Sequence, residues 1–116
     1  MKNQNTPKIA VIGFGEAGSC LCKGWGLRGV RAFDIKQYGD ALLAAEKVAQ
    51  MSAAGVIIGD DAASIANCTD MIFSTVTADQ ANAAASAVAK AIKPGAYYLD
   101  LNSCAPSTKQ KNAALI

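Results

Sequence analysis

The sequence contains no histidine. That excludes Ser-His-Asp and Cys-His nucleophilic schemes and removes the commonest general acid–base group. With no imidazole to contribute, no metal site is expected either. The four cysteines, Cys20, Cys22, Cys68 and Cys104, form no C-x-x-C pair. Cys20 and Cys22 stand two apart on a predicted helix and so point in different directions. They read as small buried hydrophobes in a reducing cytoplasm, and only Cys104 falls in a loop of chemical interest. Charge is scarce: 17% of residues carry it, the net is +2, and no basic run is dense. Neither a nucleic acid nor an acidic surface is therefore an expected partner. No apolar stretch is long enough to span a membrane. Met1 to Lys8 is polar, without the apolar core of a secretory signal.

What is present suffices for one globular domain: 116 residues, 52% of them hydrophobic. The chain is organised around Ile9-Ala10-Val11-Ile12-Gly13-Phe14-Gly15-Glu16-Ala17-Gly18. An apolar run, read as a buried strand, enters a G-x-G-x-x-G and then a helix-compatible segment. A second apolar run, Val30 to Phe33, ends at an acidic residue, Asp34. Glycine-rich turns are common, but strand, turn, helix and distal acid together are the context in which this motif binds a dinucleotide. Each glycine has a physical task. Gly13 permits the tight turn, Gly15 lets a pyrophosphate approach the backbone, and Gly18 lets the helix pack on the strand. The helix N-terminus then faces the phosphates with free N–H groups and its positive dipole end. Asp34 suits the two hydroxyls of an adenosine ribose, with Ile35 and Lys36 beside it.

Taken in order, the chain alternates. Strands are expected at Ile9 to Ile12, Val30 to Phe33, Val56 to Ile58, Met71 to Val76 and Tyr97 to Leu101. Helices are expected from about Glu16, from Tyr38 to Ser52, from an Asp60 or Asp61 cap to about Asn67, from a Thr77–Gln80 capping box to about Ile92, and from Pro106 onward. Arg28-Gly29 and Gly55 read as turns, and Lys93-Pro94-Gly95 as a helix stop. Such alternation implies an α/β fold, a Rossmann-type doubly wound parallel sheet of order 3-2-1-4-5. Its ligand cleft lies beyond the carboxyl ends of the strands. That places four loops together: Gly13 to Gly18, Asp34 to Lys36, Thr75 to Asp79, and Asn102 to Pro106. Thr75, Val76 and Thr77 border the middle of a bound cofactor. Asn102 and Ser103 offer an amide and a hydroxyl that can bond a carboxylate or hydroxyl, or can simply cap the following helix.

These residues carry a resemblance. The stretch Val11 to Gly18, the passage Lys93-Pro94-Gly95 into Tyr98-Leu99-Asp100, and Asp100-Leu101-Asn102-Ser103-Cys104-Ala105-Pro106 together resemble the N-terminal half of the β-hydroxyacid dehydrogenases. That is the family of 3-hydroxyisobutyrate and 6-phosphogluconate dehydrogenases. The last stretch is similar to the family's D-x-S-T-x-x-P substrate loop, with Asn102 for Ser and Ser103 for Thr. The resemblance implies NAD(P) as cofactor, a small hydroxy-acid substrate contacted by Asn102 and Ser103, and Asn102 bordering the cofactor as well. It also implies homo-oligomers in the full-length form. The family's catalytic lysine lies on a separate helical domain, in a motif absent here. Residues 1–116 therefore read as a NAD(P)-binding domain without its catalytic partner and with no catalytic residue of its own. Its final helix is expected to expose apolar surface at Ala113-Ala114-Leu115-Ile116.

A second reading is a stand-alone nucleotide-sensing module of a channel or transporter. Gly59-Asp60 and the strand Met71 to Val76 fit one. The Asn102-to-Pro106 loop separates the two readings, because a sensor has no evident use for it. An FAD-binding half-domain would favour Glu where Asp34 stands. Asp34 also implies NAD over NADP, since it would repel a 2′-phosphate at close range, although Lys36 could swing toward that phosphate.

Overall fold

The computed structural model describes residues 7–25, 29–102 and 106–116. Arg28, Ser103 and Cys104 lie outside them. In chain order the elements are β1 (Ile9–Ile12), α1 (Glu16–Trp25), β2 (Arg31–Phe33), a 3-10 turn (Ile35–Tyr38), α2 (Ala41–Ala53), β3 (Ile57–Ile58), α3 (Ala62–Ala66), β4 (Met71–Ser74), a second 3-10 turn (Ala78–Gln80), α4 (Ala81–Ala89), β5 (Tyr97–Asp100) and α5 (Pro106–Leu115). The five strands form one sheet in the order β3-β2-β1-β4-β5, and every pairing is parallel. Both order and fold class are those expected from the sequence.

Register positions the site. Ile12 pairs with Phe33 on one side and with Ser74 on the other. Ser74 in turn pairs with Asp100. The carboxyl ends of β2, β1, β4 and β5 therefore stand in one row, and the four loops that follow them meet at one rim.

All of β1 is buried, as befits a central strand covered on both faces. Alternation splits its side chains. Ile9 and Val11 join Phe14, Cys22, Val30, Ala32 and Met51 under α1 and α2. On that face Trp25 packs against Phe73 with ring centroids 4.9 Å apart and planes tilted by 53°. Ala10 and Ile12 face the other way, onto Phe33, Ile72, Ala62, Ile65 and Ala66 of α3, and Ala84 and Val88 of α4. Four of the nine buried residues in this second layer are alanines.

Several local details differ from expectation. The helix expected from Tyr38 is a 3-10 turn that ends at Gly39, followed by α2, which Asp40 caps through the Leu42 N–H. Asp61, not Asp60, caps α3, accepting from the Ser64 N–H at 2.7 Å. Thr77 precedes a 3-10 turn and makes no capping bond. The Thr77–Gln80 capping box is therefore not formed. The Thr77 hydroxyl, ahead of the Asp79 backbone N–H, holds the Asp79 carboxyl below its usual range. Most unexpectedly, Leu42, Leu43 and Val48 of α2 face outward. The helix buries Met51, with Ala44 and Lys47 partly buried on the same side. Leu115 and Ile116 are exposed as expected. Among the described residues no helix is long and apolar enough to cross a membrane.

Candidate functional site

The turn after β1 is glycine-dependent at two positions for internal reasons. Gly13 has φ +93°, and a Cβ there would strike the Thr75 carbonyl. Its N–H donates to the Phe33 carbonyl at 2.7 Å, and its own carbonyl accepts from the Thr75 hydroxyl at 2.7 Å. A Cβ on Gly18 would overlap the Gly13 carbonyl oxygen. Gly15 differs: a Cβ there would meet nothing within 4 Å. The protein's own packing demands the outer two glycines. At Gly15 the backbone is bare toward open space, as close approach by a pyrophosphate requires. The residues present therefore fit a dinucleotide. The leading N–H groups of α1, which lack intrahelical partners, start beside this loop.

Asp34 ends β2 and is buried. Its Oδ1 accepts from the Lys36 N–H at 2.8 Å, and its Oδ2 accepts from the Phe14 N–H at 2.7 Å. Gln37 accepts from the Asp34 N–H and donates to the Gly59 carbonyl at 2.9 Å, anchoring the turn to the loop after β3. Lys47 reaches in from α2: its Nζ donates to the Phe14 carbonyl at 2.7 Å and stands 3.9 Å from Asp34 Oδ2. A carboxylate offers about four lone-pair sites. With backbone N–H groups on two, Asp34 keeps acceptor capacity for a pair of hydroxyls.

Gly13, Gly15, Asp34, Ile35, Lys36, Thr75, Val76 and Thr77 line one cleft of about 320 Å³, together with Lys47, Asp61, Gln80 and the small residues Ala62, Ala83, Ala84 and Ala87. The alanines of α3 and α4 leave the room a flat ring needs. Phe14 and Glu16 line a separate groove of about 540 Å³ between α1 and α2. The Phe14 side chain itself belongs to the core, so only its backbone faces the site. Ala17 is exposed on α1, and Gly18 is buried behind the loop. Asn102 is buried: its Oδ1 accepts from the Val76 N–H at 2.7 Å, and its Nδ2 donates to the Ser74 hydroxyl at 3.0 Å. It joins the loops after β4 and β5. Ser103 lies outside the described residues. Lys109 turns back onto the Asp100 carbonyl at 3.3 Å. Cys22 is buried, which pushes its thiol pKa up, and Cys20 is exposed. Among the described residues no cluster of metal-ligating side chains occurs.

Lys47, Asp61, Gln80 and the four alanines are cleft residues that sequence reasoning missed. One signal existed for Lys47. It lies four residues before Met51, which places both on one helix face.

Residues 8–116 match the family model described as the NAD-binding domain of 6-phosphogluconate dehydrogenase. A conserved hypothetical protein from Sinorhizobium meliloti 1021 superposes with a TM-score of 0.85 at 34% identity, over 97% of this chain and 38% of the other. The 3-hydroxyisobutyrate dehydrogenase of Mycobacterium tuberculosis, solved with L-serine, gives 0.77 at 22% identity, over 95% and 36%. The imine reductase from Myxococcus stipitatus, in complex with NADP+, gives 0.73 at 18%, over 93% and 36%. The chain thus spans less than two-fifths of these solved chains. No curated protein matches it. The dehydrogenase reading gains from these matches, and the transporter-sensor reading gains nothing.

Proposed function

Because the chain belongs to the family of 6-phosphogluconate dehydrogenase NAD-binding domains, we propose that it holds the dinucleotide of an oxidoreductase acting on the CH–OH group of a small hydroxy acid. The observation that carries this reading is the pairing, in one cleft, of the open backbone at Gly15 with the buried carboxylate of Asp34. In this reading Gly13 to Gly18 cradle the pyrophosphate through backbone N–H groups. Asp34, Ile35 and Lys36 surround the adenosine ribose, and Thr75, Val76 and Thr77 border the middle of the cofactor. Asn102 fixes the rim of the cleft after β5, and substrate contact is assigned to Asn102 and Ser103 through the family resemblance alone. When bound, the dinucleotide supplies the hydride acceptor.

The proton of the substrate hydroxyl needs an acceptor. Asp34 is engaged at the ribose end, Asp79 is exposed in a 3-10 turn, and Lys109 is bonded to the Asp100 carbonyl. A helical partner domain is the proposed source of the catalytic lysine, and a cytoplasmic homo-oligomer the proposed working form. The free thiols of Cys20, Cys22 and Cys68 suit that compartment.

NAD is the favoured cofactor, because Asp34 repels a 2′-phosphate. Calorimetric titration with NAD and NADP tests the reading. Tighter binding of NAD, with the gap narrowed in Asp34→Gly, is expected, and tighter NADP binding overturns the preference. Incubated alone with 3-hydroxy acids or 6-phosphogluconate, the chain is expected to produce no reduced nicotinamide. Steady turnover abolished by Lys109→Ala would relocate the active site to this domain.

A further inference from the structure

Lysine is rarely buried unless paired, yet the Lys47 side chain is only 13% exposed. Its stem runs along the face of α2 that carries Met51, and its head closes a ring of contacts. The Phe14 N–H donates to Asp34, Lys47 stands beside the same carboxylate oxygen, and Lys47 donates to the Phe14 carbonyl. The ring ties together the loop after β1, the end of β2 and α2. Lys47 and Gly15 are also the two residues common to the cleft and to the groove between α1 and α2. The ammonium group therefore stands in the wall of the cleft at its ribose end, beside the carboxylate that would meet a 2′-substituent.

We propose that Lys47 is a specificity-determining residue for the dinucleotide, one that limits how strongly Asp34 excludes a 2′-phosphate; the proposal rests on the dinucleotide reading above. An isolated buried carboxylate repels a phosphate dianion at full strength. A cation 3.9 Å from that carboxylate reduces the field to that of a dipole, which falls off faster, and itself attracts the phosphate. The other charges at this end bear less on the position. Lys36 is exposed, and Asp61, across the cleft, is engaged in capping α3. The site thus prefers NAD by a margin that Lys47 keeps small.

The test is calorimetric titration of the whole chain with NAD and with NADP, in the unaltered protein and in Lys47→Gln, Lys47→Met and Lys47→Arg. Lys47→Gln keeps a polar N–H donor directed toward the Phe14 carbonyl and removes the charge. In Lys47→Gln and Lys47→Met the ratio of the NADP to the NAD dissociation constant is expected to rise about tenfold, and in Lys47→Arg to stay near that of the unaltered chain. A ratio unchanged in Lys47→Gln overturns the proposal. That holds whether both affinities fall together, as loss of a purely structural tie would make them, or neither moves. Failure of the unaltered chain to bind either dinucleotide would instead overturn the reading on which the proposal rests. Should Lys47→Met fail to fold, the Gln and Arg variants still decide the ratio.

Discussion

At the carboxyl rim of the sheet Asp34 faces Lys47 across 3.9 Å, with side chains 9% and 13% exposed. At the opposite rim Asp70 meets Lys93 at 2.9 Å, with side chains 45% and 40% exposed. By distance the second pair is the stronger. By environment it is the weaker, because water and salt screen exposed charges and holding two long side chains together costs entropy. The buried pair is embedded in hydrogen bonds from Phe14 and Lys36, which offset its desolvation. Burial and connectivity, not separation, decide which aspartate the fold depends on, and the one it depends on faces the cleft.

The largest expected effect follows from breaking the buried pair. In Asp34→Ala, Lys47 keeps its charge without a counter-ion and the Phe14 N–H loses its acceptor. Unfolding free energy from urea denaturation is expected to fall by about 3–5 kcal/mol, and the preference for NAD over NADP to shrink with it. A loss no greater than that of Asp70→Ala would erase the contrast between the two rims.

Next in size is a substitution at the same rim that involves no charge. In Gly18→Ala the new methyl overlaps the Gly13 carbonyl, so α1 must shift from its own entry loop. Overpacking of this kind costs about 1–3 kcal/mol, and affinity should fall with stability. Gly15→Ala separates the two effects. Its methyl enters open space, so stability should move by no more than about 0.5 kcal/mol, while dinucleotide affinity drops because the methyl occupies the approach to the backbone. Equal thermal shifts in the two variants would show that Gly15 is held by packing after all.

The carboxyl rim was legible in the sequence where its signals are local. Ile9 to Ile12 followed by spaced glycines, and an acid at the end of the next apolar run, mark strands and turn within a few residues of one another. Right-handed crossovers then leave few orders, and 3-2-1-4-5 is the one found. Lys47 was not legible, because its partners lie far along the chain. The Phe14 contact spans 33 residues, and a lone lysine among alanines resembles any solvated helix position. The orientation of α2 was missed for a related reason. Leucine favours a helix at Leu42 and Leu43 wherever it points, and which face turns inward is set by the sheet beneath. The Thr77 box failed because a motif specifies donors and acceptors but not the backbone that must present them, and a 3-10 turn follows Thr77. Beyond any ligand role, Asn102 ties the loops after β4 and β5 together through Val76 and Ser74. Its spacing from Asp100 carried no sign of the β4 loop it would meet.

The smallest expected effect belongs to the amino rim and measures what holds Asp70. Its carboxyl lies below the usual range, first because the Lys8 N–H donates to it, and then through the hydrogen bond and charge of Lys93. A carboxyl whose folded pKa is depressed stabilises the fold above its unfolded pKa and loses that contribution as pH falls through the folded value. Lys93→Ala removes the second cause and leaves the first. The Asp70 pKa, followed by carboxyl-carbon NMR, is therefore expected to rise only part of the way to the usual aspartate range. Acid unfolding should begin at slightly higher pH, and stability near neutrality should scarcely change. Added salt should reproduce part of the shift in the unaltered chain, since it screens the lysine but not a backbone hydrogen bond. Full recovery of an ordinary pKa in Lys93→Ala would mean that the lysine alone sets it. The exposed pair would then be a stronger ion pair than its surroundings allow, and the contrast between the rims would fail from this side.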